Sequence, residues 1–229
     1  MQFLREDAGK AVLAIAKRIG DELTAGKRVL WLTSGGGNVG LQVAVMQQLH
    51  ERCKNRLDGL AIMPMDERYG PQGHKDSNTQ QLREAGFDPG KATWVDVLLH
   101  NVPFDQTIDF YNDVAATALA NASVIVGQFG MGADAHVAGI LPGSPAVEVD
   151  DATVTGYEWD DYTRMTLTPK VLTGVTVAYV PVYGDNKKTA LERLLKNKAP
   201  LSGLPAKLLY EIPEVYVYND QLETTESEG

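Results

Sequence analysis

Cysteine is nearly absent. Cys53 is the only one in 229 residues, so no intrachain disulfide and no thiolate metal cluster can be built. It sits at the end of a helical pattern with no catalytic partner nearby in sequence, and no reactive role is expected of it. Long apolar runs are missing too: none reaches the roughly 20 residues a membrane-spanning helix needs. The opening stretch is interrupted by Arg5, Glu6, Asp7 and Lys10, which breaks the apolar centre of a signal peptide, so a cytoplasmic address and no membrane partner are expected. Positive charge is in deficit, with 21 Lys and Arg against 30 Asp and Glu and a formal net charge of −9. A nucleic-acid backbone requires a dense basic face, which argues against nucleic acid as a partner. A small anion is not excluded, because a few well-placed cations make a local positive pocket in an acidic protein. Histidine is scarce, at four residues. Asp134 and His136 could ligate one ion, but no further histidine-rich spacing closes a shell, and no metal is expected.

What is present is a globular composition, 44% hydrophobic and 22% charged, at a length suited to one α/β domain. Leu4, Ala8, Val12, Ile15, Ile19 and Leu23 recur at helical spacing and predict an opening amphipathic helix. RVLWLT (28–33) reads as a strand. It is followed at once by a glycine turn and a helical pattern from about Val39 to Leu49, the start of a βαβ unit. Further apolar runs fall at 59–65, 93–98, 123–129, 175–182 and 215–218, with helical stretches at about 77–86, 106–120 and 186–196 and a short one near 203–210. Strands alternating with helices predict a mainly parallel sheet covered on both faces. Run 123–129 is apolar on both parities, as a central strand should be. Residues 1–221 form one expected domain, and the polar, acidic segment 222–229 is expected to fray.

Ligands of open α/β sheets bind beyond the carboxyl ends of the strands, so the segments after the strands carry the chemistry. Ser34, Gly35, Gly36, Gly37 and Asn38 follow the first of these runs. Glycines let backbone N–H groups approach an anion at a helix start, although a tight turn without a ligand has the same look. The segment does not fit the P-loop pattern. Asp66, Glu67 and Arg68 follow the next run; adjacent carboxylates and an arginine are costly there unless they face a polar ligand or each other, and Arg68 suits bidentate phosphate recognition. Gly130, Met131, Gly132, Ala133, Asp134, Ala135 and His136 follow the central run. Asp134 could fix the tautomer of His136 and raise its basicity, which makes His136 a general-base candidate. Arg164 lies in RMTLT (164–168), and Lys187 in a strand-end turn that opens a helix. The alternative for either cation is a solvated surface position.

These segments, in this order, resemble the 6-phosphogluconolactonase family, within a wider group that includes glucosamine-6-phosphate deaminases. They are SGGGN at 34–38, DER at 66–68, DSN at 76–78, GMGADAH at 130–136, LPGSPA at 141–146, RMTLT at 164–168, GDNK at 184–187 and LPAKLL at 204–209. The resemblance implies a single-domain, modified Rossmann-like α/β fold of the NagB/RpiA/CoA-transferase-like type. It also implies hydrolysis of 6-phospho-glucono-1,5-lactone to 6-phosphogluconate in the pentose phosphate pathway, without a cofactor, by a monomer or weak homodimer. Carried onto this chain, it makes His136 the base and Asp134 its orienting group. Arg68 and Lys187 then hold the phosphate with the Ser34–Asn38 turn, Asp66 and Arg164 line the sugar site, and the Gly130 and Gly132 N–H groups are oxyanion donors. Gly37 stands where the family has a second serine, and Val137 and Gly139 where it has Thr and Ser. Ala135 replaces a glycine, which strains the backbone if that position needs positive φ. Two other readings are a deaminase or isomerase of an amino-sugar phosphate, with Asp66 abstracting a proton from carbon, and a non-catalytic sugar-phosphate sensor.

Overall fold

The computed structural model describes residues 1–53 and 55–225. The main sheet holds β1 (Gln2–Arg5), β2 (Val29–Thr33), β3 (Leu60–Pro64), β5 (Thr93–Trp94), β6 (Val124–Gln128), β9 (Val177–Val182) and β10 (Val215–Asn219). A second sheet holds β4 (Asp66–Arg68), β7 (Val154–Glu158) and β8 (Thr163–Leu167). The helices are α1 (Ala8–Thr24), α2 (Val39–Cys53), α3 (Asn78–Glu84), α4 (Phe104–Asn121), α5 (Pro169–Thr173) and α6 (Lys188–Lys196).

The seven main strands lie in the order β1-β10-β9-β6-β2-β3-β5, every pair parallel. All residues of β2 and β9 are buried, as expected of strands covered on both faces. Successive side chains alternate between two cores. Val29 and Trp31 join Ile15, Ile19, Met46 and Leu49 of α1 and α2, while Leu30 and Leu32 join Tyr111 of α4, Leu172 of α5 and Leu191 of α6. The expected parallel, doubly covered sheet is therefore present, with 123–129 at its centre.

Four local expectations are corrected or refined. The chain opens with β1, not with a helix from Leu4: Leu4 pairs with Tyr218 of β10, and α1 starts only after Asp7, whose carboxylate accepts from Lys10 N at 3.0 Å. Run 93–98 yields two strand residues: Thr93 and Trp94 pair with Ala61 and Ile62 of β3, and Val95 N donates to Ile62 O at 2.9 Å. Segment 203–210 is helical, as expected, but as a 3-10 helix over Pro205–Glu211 rather than an α-helix. Residues 224 and 225 of the expected frayed tail lie against the outer edge of β1, where the Thr225 hydroxyl accepts from Phe3 N and the Thr224 hydroxyl from Arg5 N, both at 3.0 Å. The tail's last four residues, 226–229, lie outside the described residues.

The second sheet has the order β4-β8-β7 and is antiparallel. Its strand β4 directly follows the end of β3 and, with β8, brings Asp66, Arg68 and Arg164 to the carboxyl rim of the main sheet.

Candidate active site

The turn after β2 is held from within. Ser34 and Asn38 are buried. Asn38 Nδ2 donates to Ser34 Oγ at 3.1 Å and to Phe129 O at 2.9 Å, and Gln42 Nε2 donates to Ser34 O at 2.8 Å. The amide of Asn38, expected to contact a ligand, thus ties the β2 turn to the end of β6. Gly35 packs so close to Asn78 that an added Cβ would lie 1.9 Å from Asn78 Oδ1. No side chain fits there, and the bare backbone of Gly35–Gly37 opens the turn before α2, where unpaired N–H groups and the helix dipole favour an anion.

Strand periodicity splits the Asp66–Glu67–Arg68 segment. Asp66 and Arg68 share a face, opposite Thr166 and Arg164 respectively. Glu67 faces the other way, toward α3, and accepts from Arg68 N, Asn78 N, Thr79 N and Ser77 Oγ at 2.7–3.1 Å. That is an anion at a helix N-terminus, favourable to both. The DSN segment is the other half of this joint: Ser77 caps α3, and Asn78 Nδ2 donates to Asp66 O at 2.9 Å. Asp66 itself is buried, and burial pushes its carboxyl above the ordinary range against the opposing charges of Arg68, His136 and Arg164.

Arg68 and Arg164 are direct cross-strand neighbours. Like charges in that relation destabilise a sheet, so the pair requires compensation. Arg68 Nη1 donates to Asp76 O at 2.8 Å, and Arg164 Nη2 pairs with Asp161 at 2.7 Å. Both guanidinium groups lie over the Tyr162 ring, at 5.1 and 5.6 Å from its centroid. The Nε atoms of both are buried without an acceptor among the described residues. Sequence reasoning missed Tyr162 and the bridging role of Asn78. Nothing in the local pattern marks Tyr162, because its partners come from two different strands.

After β6 the chain turns tightly. Gly132 N donates to His136 O at 2.9 Å, and Ala135 N to Gly132 O at 3.0 Å. Asp134 Oδ1 accepts from His136 N at 3.1 Å and lies 2.7 Å from His136 Nδ1. A Cβ on Gly132 would lie 2.2 Å from His136 Nδ1, so the pair depends on that glycine. Burial pushes the Asp134 carboxyl up, but hydrogen bonds and charge from His136 outweigh it and hold it down at about 2. Ala135 has φ 71° and Ala138 φ 49°, both in the left-handed region that costs alanine roughly 1–2 kcal/mol. The condition for strain at Ala135 is thus met. The Gly132 N–H, expected as an oxyanion donor, is already engaged by His136 O, which removes it from that role. Gly130 N–H donates to none of the described residues in the hydrogen bonds of the loop.

One cavity of about 310 Å³ gathers these groups. Ser34, Gly35, Gly36, Gly37, Asn38, Asp66, Arg68, Gly130, Gly132, His136, Arg164 and Lys187 all line it. Of the residues to which the resemblance gives a site role, Asp134 alone does not line it; it stands beside the cavity, half-exposed and hydrogen-bonded to His136. The cavity is also lined by Asn78, Met131 and Tyr183. Three cations and one carboxylate in one cleft make a positive site in an acidic protein, and Lys187 forms an ion pair with none of the described residues. Among the described residues, no group of three or more His, Cys, Asp or Glu could hold a metal ion, and no helix is long and apolar enough to cross a membrane.

A 6-phosphogluconolactonase of Nostoc sp. is 28% identical over 168 residues, 66% of this chain and 67% of that one. The crystal structure of a 6-phosphogluconolactonase from Shewanella baltica matches with a TM-score of 0.74 at 21% identity, covering 95% and 96% of the two chains. A monomeric glucosamine-6-phosphate deaminase of the NagB superfamily matches with a TM-score of 0.76 at 13% identity, covering 96% and 97%; both structural likenesses establish the shared fold. A family model described as glucosamine-6-phosphate isomerases/6-phosphogluconolactonase matches residues 5–216, and the chain belongs to that family.

Proposed function

We propose that this protein hydrolyses 6-phospho-glucono-1,5-lactone to 6-phosphogluconate, with His136 as general base. The observation that carries the reading is that His136, hydrogen-bonded to Asp134, lines the same cavity as Arg68, Arg164 and Lys187. The names of the curated relatives support the same reaction.

Asp134 engages Nδ1 as an acceptor, which leaves His136 Nε2 as the proton-accepting nitrogen. Nε2 takes a proton from water as its oxygen attacks the lactone carbonyl carbon. The tetrahedral intermediate then collapses, the bond from that carbon to the ring oxygen breaks, and His136 returns the proton to the departing ring oxygen. Gly130 N–H is the backbone donor for the oxyanion. Arg68, Lys187 and the N–H groups of Gly35–Gly37 hold the phosphate, and Asp66 and Arg164 hold the sugar. With its carboxyl held at about 2, Asp134 remains ionised throughout the neutral range and keeps the imidazole oriented.

The test is a coupled assay on freshly made lactone, run beside glucosamine 6-phosphate. General acid–base help contributes about 10²–10⁴ in rate, so His136→Ala lowers kcat by that factor. Unchanged turnover removes His136 from the mechanism. Ammonia release from glucosamine 6-phosphate, without lactone hydrolysis, transfers the site to the deaminase reaction.

A further inference from the structure

The strained His136 loop is strapped from outside. Arg193, on α6, donates through Nη1 to Asp134 O at 3.2 Å and through Nη2 to Gly203 O. Ala206 N donates to Ala135 O at 3.0 Å, and Gly143 N to Ser202 O at 2.8 Å. Segment 202–206 therefore holds the loop at Ala135 and the following chain at Gly143, and Arg193 joins that segment to the carbonyl of the residue that orients the imidazole. Ala135, itself one of these attachments, is fully buried at φ 71°. Left-handed alanine persists only where its surroundings over-determine it, and here the surroundings are two donors on its own carbonyl and on its neighbour's. The same α6 is preceded directly by the turn Asp185–Lys187, so one short helix fixes both the cavity's unpaired lysine and the strap.

The geometry points to Arg193 as a positioning residue for this site: it holds the Asp134–Ala135–His136 turn in its left-handed form and so sets where the His136 ring stands relative to Lys187. The inference rests on the lactonase reading for its catalytic consequence and on the hydrogen bonds alone for its structural one. Arg193 is not among the residues that line the cavity; it acts through the Asp134 carbonyl.

Arg193→Lys tests it. Lysine keeps the charge but lacks the planar fork that reaches two carbonyls at once. The expected result is a kcat about tenfold lower (~1.4 kcal/mol) with KM within about twofold, because the phosphate contacts are untouched. Adding Ala135→Gly should recover most of the loss, since glycine adopts positive φ without the strap. Amide exchange gives a reading independent of turnover: in Arg193→Lys the amides of His136 and Ala206 exchange about tenfold faster, while those of β6 do not change. An unchanged kcat, a loss that Ala135→Gly does not recover, or a uniform rise in exchange that includes β6 overturns the proposal. If the wild-type chain hydrolyses no lactone, the lactonase reading fails, and the exchange comparison still decides the strap.

Discussion

Ala135 combines complete burial with φ 71°, and this makes it the residue with the clearest measurable cost. Left-handed alanine costs about 1–2 kcal/mol, of which glycine's greater chain entropy would return about 0.5–1. Ala135→Gly is therefore expected to stabilise the protein by about 0.5–1 kcal/mol, read as a higher urea midpoint at unchanged slope. A lower midpoint contradicts the strain. Asp134 supplies a pH dependence of definite sign. Its folded carboxyl is held at about 2, below the ~3.9 of an unfolded chain, so the native state binds fewer protons in that window. Its contribution is complete above about pH 4 and is lost as pH falls toward 2. Asp134→Asn lacks that contribution, so wild type loses more stability than the variant between those pH values in paired denaturation curves; parallel losses contradict it. At this scale the sequence was informative. Two residues two apart in a glycine-rich loop after a central strand identified the pair. What spacing could not give was the use of each N–H: Gly132 N and the Asn38 amide turn out to be engaged inside the protein.

Among the elements, the β4–β8–β7 sheet does the most to assemble the site and was the least legible. Its strands are short and polar, and β4 has three residues, too few for an alternating pattern to register. The two arginines become neighbours only through the pairing Arg68↔Arg164, 96 positions apart in the numbering. By contrast α1, β2, α2 and β6 announced themselves through sustained periodicity or an unbroken apolar run. The joint between β4 and α3 carries its own prediction. Glu67 accepts four hydrogen bonds in a buried position. Glu67→Gln replaces one acceptor oxygen by a donor that faces donors, and leaving buried groups unsatisfied costs about 1–3 kcal/mol. Thermal unfolding should show a loss of about 2 kcal/mol, with α3 amides the first to exchange. A neutral effect removes Glu67 from the joint.

The molecule as a whole is an acidic α/β protein that concentrates cations at one rim. Parallel strands set the turns after β2, β6 and β9 on the same side, and the β4–β8 pair reaches the same rim, which is why segments spread from Ser34 to Lys187 line one cavity. The ordered motifs and the alternation of strand and helix made this convergence readable in the sequence. The edges of the sheet were not readable, because β1 is stabilised by partners more than 200 residues away, β10 on one side and Thr224 and Thr225 on the other.

The central claim is that the cations select a phosphate while His136 performs the hydrolysis. It is tested most directly by comparing kcat/KM for 6-phospho-glucono-1,5-lactone with that for the unphosphorylated lactone, in wild type and in Lys187→Ala. A hydrogen bond to a charged group is worth about 1.5–3 kcal/mol, so wild type should prefer the phosphorylated lactone by well over tenfold. Lys187→Ala should lose about tenfold or more on that substrate alone. Equal rates on the two lactones, or an equal loss on both in the variant, contradicts the account.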